Sequence, residues 1–105
     1  MYICVDFDGT CVKHTKPLSS THTVPGAVKV LKRLTDAGHK LILFTLRSNK
    51  GGKMLLDEAI KWFSDNDIPI FGSQTNPGQN DWTDSPKAYG SLYIDDAALG
   101  CPLIR

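Results

Sequence analysis

The stretch YICVDFDGTC, residues 2–11, joins a short apolar run to two aspartates that stand one residue apart. Tyr2–Val5 is typical of a buried β-strand, because an uninterrupted apolar run bounded by turn residues has no polar face. Asp6 and Asp8 follow this strand at once, and Gly9 then permits a tight turn. The pattern predicts two carboxylates at the carboxyl end of a buried strand.

A second acidic pair follows an apolar run near the other end of the chain. Ser91–Ile94 is predicted to form a strand, and Asp95 and Asp96 come directly after it. Between the two acidic pairs, apolar runs of strand length alternate with segments of helical periodicity. The other predicted elements are a helix opened by Pro25 and Gly26 and ended by Gly38, a strand Leu41–Phe44, a helix Met54–Phe63, a strand Ile68–Phe71, a helical turn Pro86–Tyr89 and a last short strand Pro102–Ile104.

Apolar strands that alternate with amphipathic helices predict an α/β fold, with a parallel sheet covered by helices on both faces. We expect a single domain, residues 1–105, with a three-layer, Rossmann-like architecture. Such sheets bind ligands outside the carboxyl ends of their strands, at the point where the winding direction switches. The polar residues that follow predicted strands, and should therefore share one edge, are Asp6, Thr45, Asp95 and Asp96.

Several carboxylates at one edge repel one another unless a cation lies between them. Oxygen ligands suit Mg²⁺, a hard cation that commonly works with phosphates. Thr45 adds a hydroxyl donor to this edge, and Lys87 adds a compact positive charge. The backbone N–H groups after Asp6 would point outward in a tight loop. A nucleophile, a metal and donors for phosphate oxygens are the groups that phosphoryl transfer needs.

The motifs DFDGT (residues 6–10), Thr45, Lys87 and DD (residues 95–96) occur in this order and span nearly the whole chain. Together they resemble the motifs of the haloacid dehalogenase superfamily. An aspartate two residues after the first one resembles its phosphatase and phosphomutase branch. Only 14 residues separate the first motif from the first predicted helix. The resemblance is therefore to small bacterial or phage-type members that have a minimal core and no large cap domain.

The resemblance implies a separate role for each acid. Asp6 would be the nucleophile that forms an aspartyl-phosphate. Asp8 would protonate the leaving oxygen and then deprotonate the water that hydrolyses the intermediate. Mg²⁺ would be held by Asp6, the backbone carbonyl of Asp8, Asp95 and, directly or through water, Asp96.

The resemblance also assigns the phosphate-binding groups, Thr45 and Lys87. Arg47 is either a contact for the far end of the substrate or a solvated loop residue, and the sequence leaves both interpretations open. The expected function is a Mg²⁺-dependent phosphomonoester hydrolase. The alternatives are phosphoryl transfer to an acceptor other than water, and a module that binds phosphate or Mg²⁺ without catalysis. A receiver-like domain is disfavoured, because no acid follows the predicted third strand.

The composition limits the compartment in which we expect the protein and the partners that we expect it to bind. The formal net charge is +1, so a polybasic nucleic-acid face is not indicated. The three cysteines are odd in number and lack metal-ligand spacing, which favours a reducing compartment. No signal peptide precedes the first strand and no apolar run reaches membrane-spanning length, so we expect a cytoplasmic protein with a phosphorylated substrate and no membrane partner. The lack of a large lid leaves open a homo-oligomer in which a neighbouring subunit completes the site.

Overall fold

The computed structural model describes residues 1–97, which form an α/β fold with a four-stranded parallel sheet. The strands are β1 (Tyr2–Val5), β2 (Lys40–Leu43), β3 (Gly72–Ser73) and β4 (Leu92–Ile94), and the helices are α1 (Ala27–Asp36) and α2 (Leu55–Asp65). The strand order across the sheet is β3-β2-β1-β4. The predicted α/β class and parallel sheet are confirmed.

β1 lies in the interior of the sheet and is buried on both faces. Cys4 is paired with Ile42 of β2 on one side and with Tyr93 of β4 on the other. Ile3 and Val5, whose side chains point to the opposite face from Cys4, are also buried. A continuous apolar run is what a central parallel strand requires, because neither of its faces meets water.

The strand order determines which face each connection crosses. The chain moves in one direction from β1 to β2 to β3, and crossovers between parallel strands are right-handed, so α1 and α2 lie on the same face. The return from β3 to β4 runs in the opposite direction and crosses the other face. The sequence predicted helices on both faces, but both described helices pack on one face, and the β3–β4 connection covers the second.

The main core lies between the sheet and the two helices. Phe7, in the loop after β1, meets Trp62 of α2 edge-on, with 5.6 Å between the ring centroids. The indole Nε1 of Trp62 donates a hydrogen bond to Oγ1 of Thr23 at 3.1 Å. These contacts hold the loop that follows β1 against α2. The buried members of this core are Ile3, Val5, Phe7, Cys11, Val12, Leu31, Leu41, Leu43, Ala59, Trp62, Phe63 and Ile68.

The second face of the sheet has a thinner cover. Cys4, Ile42 and Ala88 are buried there, with Tyr2 packed beside them. In the β3–β4 connection, the described chain forms a short 3-10 helix, Pro77–Gln79, where the other connections carry α-helices. Within residues 1–97, no helix is long and apolar enough to cross a membrane.

The third strand begins later than predicted: it is Gly72–Ser73, not Ile68–Phe71. Pro69 lacks the N–H that a ladder needs. The N–H of Ile68 is used to close the end of α2, where it donates to the carbonyl of Phe63 at 2.9 Å. The apolar run therefore joins the core as a connection and not as a strand.

The prediction of a helical turn at Pro86–Tyr89 is wrong. The backbone carbonyls of this segment bond to side-chain donors, whereas the carbonyls of a helical turn would accept from backbone N–H groups. The carbonyls of residues 87, 88 and 89 accept hydrogen bonds from Gln79, Tyr93 and Asn76, respectively. The strand predicted at Pro102–Ile104 lies outside the described residues.

Candidate functional site

The winding direction switches between β1 and β4, which are neighbours in the sheet: the connection that leaves β1 crosses one face, and the connection that enters β4 crosses the other. Residues that follow these strands lie in the crevice where α/β sheets bind ligands. The N–H of Asp6, just after β1, donates to the carbonyl of Ile94, the last residue of β4, at 2.8 Å. This hydrogen bond places Asp95 next to Asp6.

Asp6, Asp95 and Asp96 form a cluster of carboxylates at the switch point. One oxygen from each carboxylate lies within 4.8 Å of the other two. Thr10 joins two members, because its Oγ1 donates to Oδ2 of Asp6 at 3.2 Å and accepts from the N–H of Asp96 at 3.1 Å. Asp95 accepts from the N–H of Ala97 at 2.9 Å through Oδ1. The structure therefore brings together three of the four acids that the sequence singled out.

The surroundings of Asp6 oppose its ionisation. Burial, and then the charge of Asp95, raise the pKa of Asp6 to about 7. A hydrogen bond with the carboxyl group of Asp96 raises this pKa as well, whereas hydrogen bonds from the Phe7 backbone and the Thr10 hydroxyl lower it. Burial and a like charge nearby both disfavour the ionised form of a carboxyl group.

The donor set of this cluster fits a hard divalent cation. All three groups offer carboxylate oxygens, the ligands that Mg²⁺ prefers. Gly9 provides the space for one of them, because a Cβ at this position would lie 2.5 Å from Oδ2 of Asp96. Gly9 also has φ +86°, a conformation that other residues rarely adopt. A glycine is therefore needed both for the turn and for the approach of Asp96.

The side chain of Asp8 does not belong to the carboxylate cluster. It forms a bidentate ion pair with Arg47, in which Nε donates to Oδ2 at 2.9 Å and the second terminal nitrogen donates to Oδ1 at 2.8 Å. The side chains are 15% and 1% exposed, respectively. The metal contact predicted for Asp8 is through its backbone carbonyl. The ion pair involves only the side chain, so it does not test that prediction.

Arg47 is buried and is not the solvated loop residue that the sequence left open. One terminal nitrogen donates to Oγ of Ser20 and to the carbonyl of Leu55, both at 3.2 Å, and the other donates to the carbonyl of Ser19 at 3.1 Å. The guanidinium carbon also lies 4.6 Å from the centroid of the Phe7 ring. A direct contact with substrate would require some of these hydrogen bonds to break.

Thr45 lies at the same edge of the sheet and is buried. Gln74, directly after β3, holds its backbone from both sides: the N–H of Thr45 donates to Oε1 at 2.9 Å, and Nε2 donates to the Thr45 carbonyl at 2.5 Å. The Thr45 hydroxyl oxygen accepts from the N–H of Arg47 at 3.1 Å. Because this bond uses an oxygen lone pair, the hydroxyl proton can be donated to a phosphate oxygen.

Lys87 is exposed, and within the described chain it forms no ion pair with a carboxylate. Its backbone is nevertheless well anchored. The buried Gln79 donates through Nε2 to the carbonyls of Lys87 and Ser85, at 2.9 and 3.2 Å. Ala88, the next residue, is buried against Cys4. The structure thus holds this segment on the second face of the sheet without bringing the amino group into contact with the acids.

Sequence reasoning missed two residues that support the site, Gln74 and Gln79. Gln74 follows a parallel strand at the same edge as Asp6 and Thr45, so the strand-end rule that found those residues also applies to it. It was missed because the third strand was predicted to end at Phe71. Gln79 carries no comparable signal, because its role depends on burial beneath an irregular segment.

Cys11 lies close to Asp6 but is not suited to act as a second nucleophile. It is fully buried, and its thiol donates to the carbonyl of Asp6 at 3.3 Å. Burial, followed by the charges of Asp6 and Asp8, raises the pKa of the thiol. Since the thiolate is the reactive form, this environment keeps Cys11 inert.

Comparison with known proteins places the chain in a family. No protein-family model matches the chain, and no curated protein matches it. A solved structure of a conserved protein from Bacteroides thetaiotaomicron is similar, with a TM-score of 0.80 and 36% sequence identity over 96% of this chain and 79% of that chain. The chain therefore belongs to the same family as this conserved Bacteroides thetaiotaomicron protein.

Proposed function

We propose that the protein is a Mg²⁺-dependent phosphomonoester hydrolase that works through an aspartyl-phosphate on Asp6. The observation that carries the proposal is the convergence of Asp6, Asp95 and Asp96 at the topological switch point. Further support comes from Thr45 at the same edge and from the order of the motifs, which resembles that of the haloacid dehalogenase superfamily. Asp6 is the only one of the three clustered acids that directly follows the central strand β1.

Asp6, Asp95 and Asp96 would hold the Mg²⁺ ion, with the backbone carbonyl of Asp8 as a further oxygen ligand. When bound, the ion offsets the repulsion among these carboxylates and the charge of the phosphate. Asp6 must be ionised to attack phosphorus, yet burial and the charge of Asp95 raise its pKa to about 7. A nearby positive charge favours the ionised form, so the proposal implies a requirement for the cation at neutral pH.

In the first step, a carboxylate oxygen of Asp6 attacks phosphorus and the bond between phosphorus and the ester oxygen breaks. The electron pair of that bond stays on the ester oxygen. Asp8, whose carboxylate is paired with Arg47, first takes up a proton from solvent and then transfers it to the ester oxygen to give the free alcohol. The hydroxyl of Thr45 donates to a phosphoryl oxygen. Lys87 supplies a mobile positive charge from an anchored backbone.

In the second step, Asp8 has become a carboxylate and takes a proton from a water molecule. The water oxygen attacks phosphorus, and the bond between phosphorus and Asp6 breaks. Asp6 leaves as a carboxylate, inorganic phosphate is released, and Asp8 again carries the proton with which the cycle began. One water molecule is consumed for each ester.

The test is the hydrolysis of 4-nitrophenyl phosphate with Mg²⁺ or with EDTA. Three chains are compared: wild type, Asp6→Asn, and Asp84→Asn, in which the exposed Asp84 serves as a matched control. We expect wild type and Asp84→Asn to turn over only with Mg²⁺, and Asp6→Asn to show no turnover above the uncatalysed rate. Turnover by Asp6→Asn equal to that of wild type would disprove the assigned nucleophile.

The same assay separates hydrolysis from transfer to another acceptor. In the presence of a simple alcohol, nitrophenol and inorganic phosphate are both quantified. Equal yields indicate that water is the acceptor, as we propose. A deficit of inorganic phosphate, matched by a new phosphate ester of the alcohol, would favour a phosphotransferase.

A further inference from the structure

We propose that Arg47 is a positioning residue for Asp8, and that its bidentate ion pair holds the carboxylate in the orientation from which protons are transferred. This inference rests on the hydrolase function proposed above and adds a residue that acts through the general acid and base. Arg47 lies outside the carboxylate cluster and its guanidinium is occupied by protein groups. Its function must therefore be exerted through the groups that it contacts.

The surroundings of Arg47 give it a fixed position. Its side chain is 1% exposed and is hydrogen-bonded to the segment of residues 19–20 and to the first residue of α2, Leu55. The same terminal nitrogen that contacts Leu55 lies 3.8 Å from Oε2 of Glu58, whose side chain is half exposed. The guanidinium carbon lies over the ring of Phe7, 4.6 Å from its centroid, and Phe7 directly precedes Asp8. A group held on so many sides can act as a fixed template for its partner carboxylate.

The ion pair holds Asp8 without using all of its proton-binding positions. The two oxygens of a carboxylate have about four acceptor positions between them, and a bidentate arginine uses one on each oxygen. One position on each oxygen of Asp8 therefore remains open to a proton from water. Both hydrogen bonds, at 2.8 and 2.9 Å, lie in the range of strong charge-assisted bonds.

The pair also explains why Asp8 is separate from Asp6, Asp95 and Asp96. A carboxylate released from Arg47 would be a fourth carboxylate next to a cation site, where it could bind the metal and no longer serve as a base. Lysine cannot replace this function, because its single ammonium group lacks the planar fork of donors. Arg47→Lys therefore keeps the charge and removes the template.

The experiment separates the two chemical steps with one activated substrate, 4-nitrophenyl phosphate, in the presence of Mg²⁺. Nitrophenol leaves without help from an acid, so kcat/KM, which reports formation of the aspartyl-phosphate, should stay within roughly threefold of wild type in Arg47→Lys. Hydrolysis of the intermediate needs Asp8 as base, so kcat should fall by about 100-fold, with a parallel fall in KM. A rapid burst of one nitrophenol per chain should precede the slow steady state.

Further variants serve as controls for this test. Asp8→Asn should show the same separation of kcat from kcat/KM, and the double variant with Arg47→Lys should be no slower than Asp8→Asn alone. Ser20→Ala removes one partner of Arg47 without removing a buried charge, and should lower kcat by a few-fold in the same pattern. Thermal unfolding of each variant will show whether it folds. If Arg47→Lys does not fold, Ser20→Ala tests the positioning role in its place.

The outcomes distinguish a failure of the positioning role of Arg47 from a failure of the proposed hydrolase function. If kcat and kcat/KM fall together, or if neither changes in folded variants of an active enzyme, the positioning role of Arg47 is overturned and the hydrolase remains. If wild type lacks Mg²⁺-dependent turnover, or if Asp6→Asn keeps it, the proposed function itself fails. A selective fall in kcat with a burst supports both.

Discussion

The carboxylate of Asp96 lies against the backbone of Gly9, so close that a Cβ added at Gly9 would be 2.5 Å from Oδ2. The turn after the first strand and the residues after the fourth are therefore built around each other. This contact brings an acid from near the end of the described chain to the motif at its beginning. It also makes the identity of one small residue decisive for the geometry of the carboxylate cluster.

Substitution of Gly9 by alanine should weaken both the fold and the metal site. Gly38→Ala is the matched control, because Gly38 has φ +92° and nothing within 4 Å of an added Cβ. Both variants should lose about 1–2 kcal/mol of unfolding free energy from the left-handed backbone. Gly9→Ala should lose more, and the stabilisation of the protein by Mg²⁺ should shrink.

Denaturant unfolding of both glycine variants, with EDTA and with Mg²⁺, measures the two effects. Gly38→Ala should keep the full stabilisation by Mg²⁺ that wild type shows. Equal losses in the two variants, with the response to Mg²⁺ intact in both, would show that the contact with Asp96 has no energetic weight.

The stability of the metal-free chain should depend on the ionisation of Asp6. The pKa of this group is about 7 in the folded chain and about 3.9 in an unfolded one, so the folded state binds more protons between these values. The contribution of Asp6 to stability is complete below about pH 4 and is lost as the pH rises through 7. The unfolding free energy of wild type should therefore fall relative to that of Asp6→Asn as the pH rises over this range.

Denaturant titrations in EDTA at several pH values test this dependence, because the asparagine variant cannot titrate at that position. Saturating Mg²⁺ should remove the dependence, since the cation takes the place of the proton. A difference that does not change with pH in EDTA would contradict the raised pKa of Asp6.

Removal of the Gln74 side chain should loosen the segment that presents Thr45. Gln74→Ala deletes both hydrogen bonds to the Thr45 backbone and leaves an N–H and a carbonyl without those partners. The expected cost is about 1–3 kcal/mol of unfolding free energy. Hydrogen exchange should show faster exchange of the Thr45 amide, whereas Thr75→Ala, at the neighbouring exposed position, should leave that rate unchanged. An unchanged Thr45 exchange rate in Gln74→Ala would refute this role.

The two described cysteines should resist alkylation in the native protein. Cys4 and Cys11 are free and buried, and burial is the main reason that the pKa of each thiol is raised. Iodoacetamide at pH 8, followed by peptide mass spectrometry, should leave both unmodified in native buffer and modify both in urea. Modification of Cys11 in native buffer would contradict its burial and reopen the question of a thiol nucleophile.

The local pattern of the sequence was sufficient for the elements whose residues decide their own conformation. β1 was predicted with its observed bounds, and α1 was predicted from Pro25, Gly26 and its helical periodicity. The acids after the first and fourth strands could also be placed at one edge, because parallel strands align their carboxyl ends. The candidate metal cluster of Asp6, Asp95 and Asp96 follows from this alignment.

Contacts between residues distant in the sequence decided the rest. The order of the strands placed both helices on one face, a choice that no single helix encodes. Because of Pro69 and the end of α2, the third strand is Gly72–Ser73 and not the predicted apolar run before it. Gln74, which follows this strand, is therefore next to Thr45.

The pairing of Asp8 with Arg47 illustrates the same distinction, because the two residues are 39 positions apart. The sequence by itself determined which groups stand at the ends of the strands, since strands and helices are specified by local apolar periodicity. Only the tertiary structure decided which of those groups face one another, because burial selects the partners that can satisfy each charge and hydrogen bond.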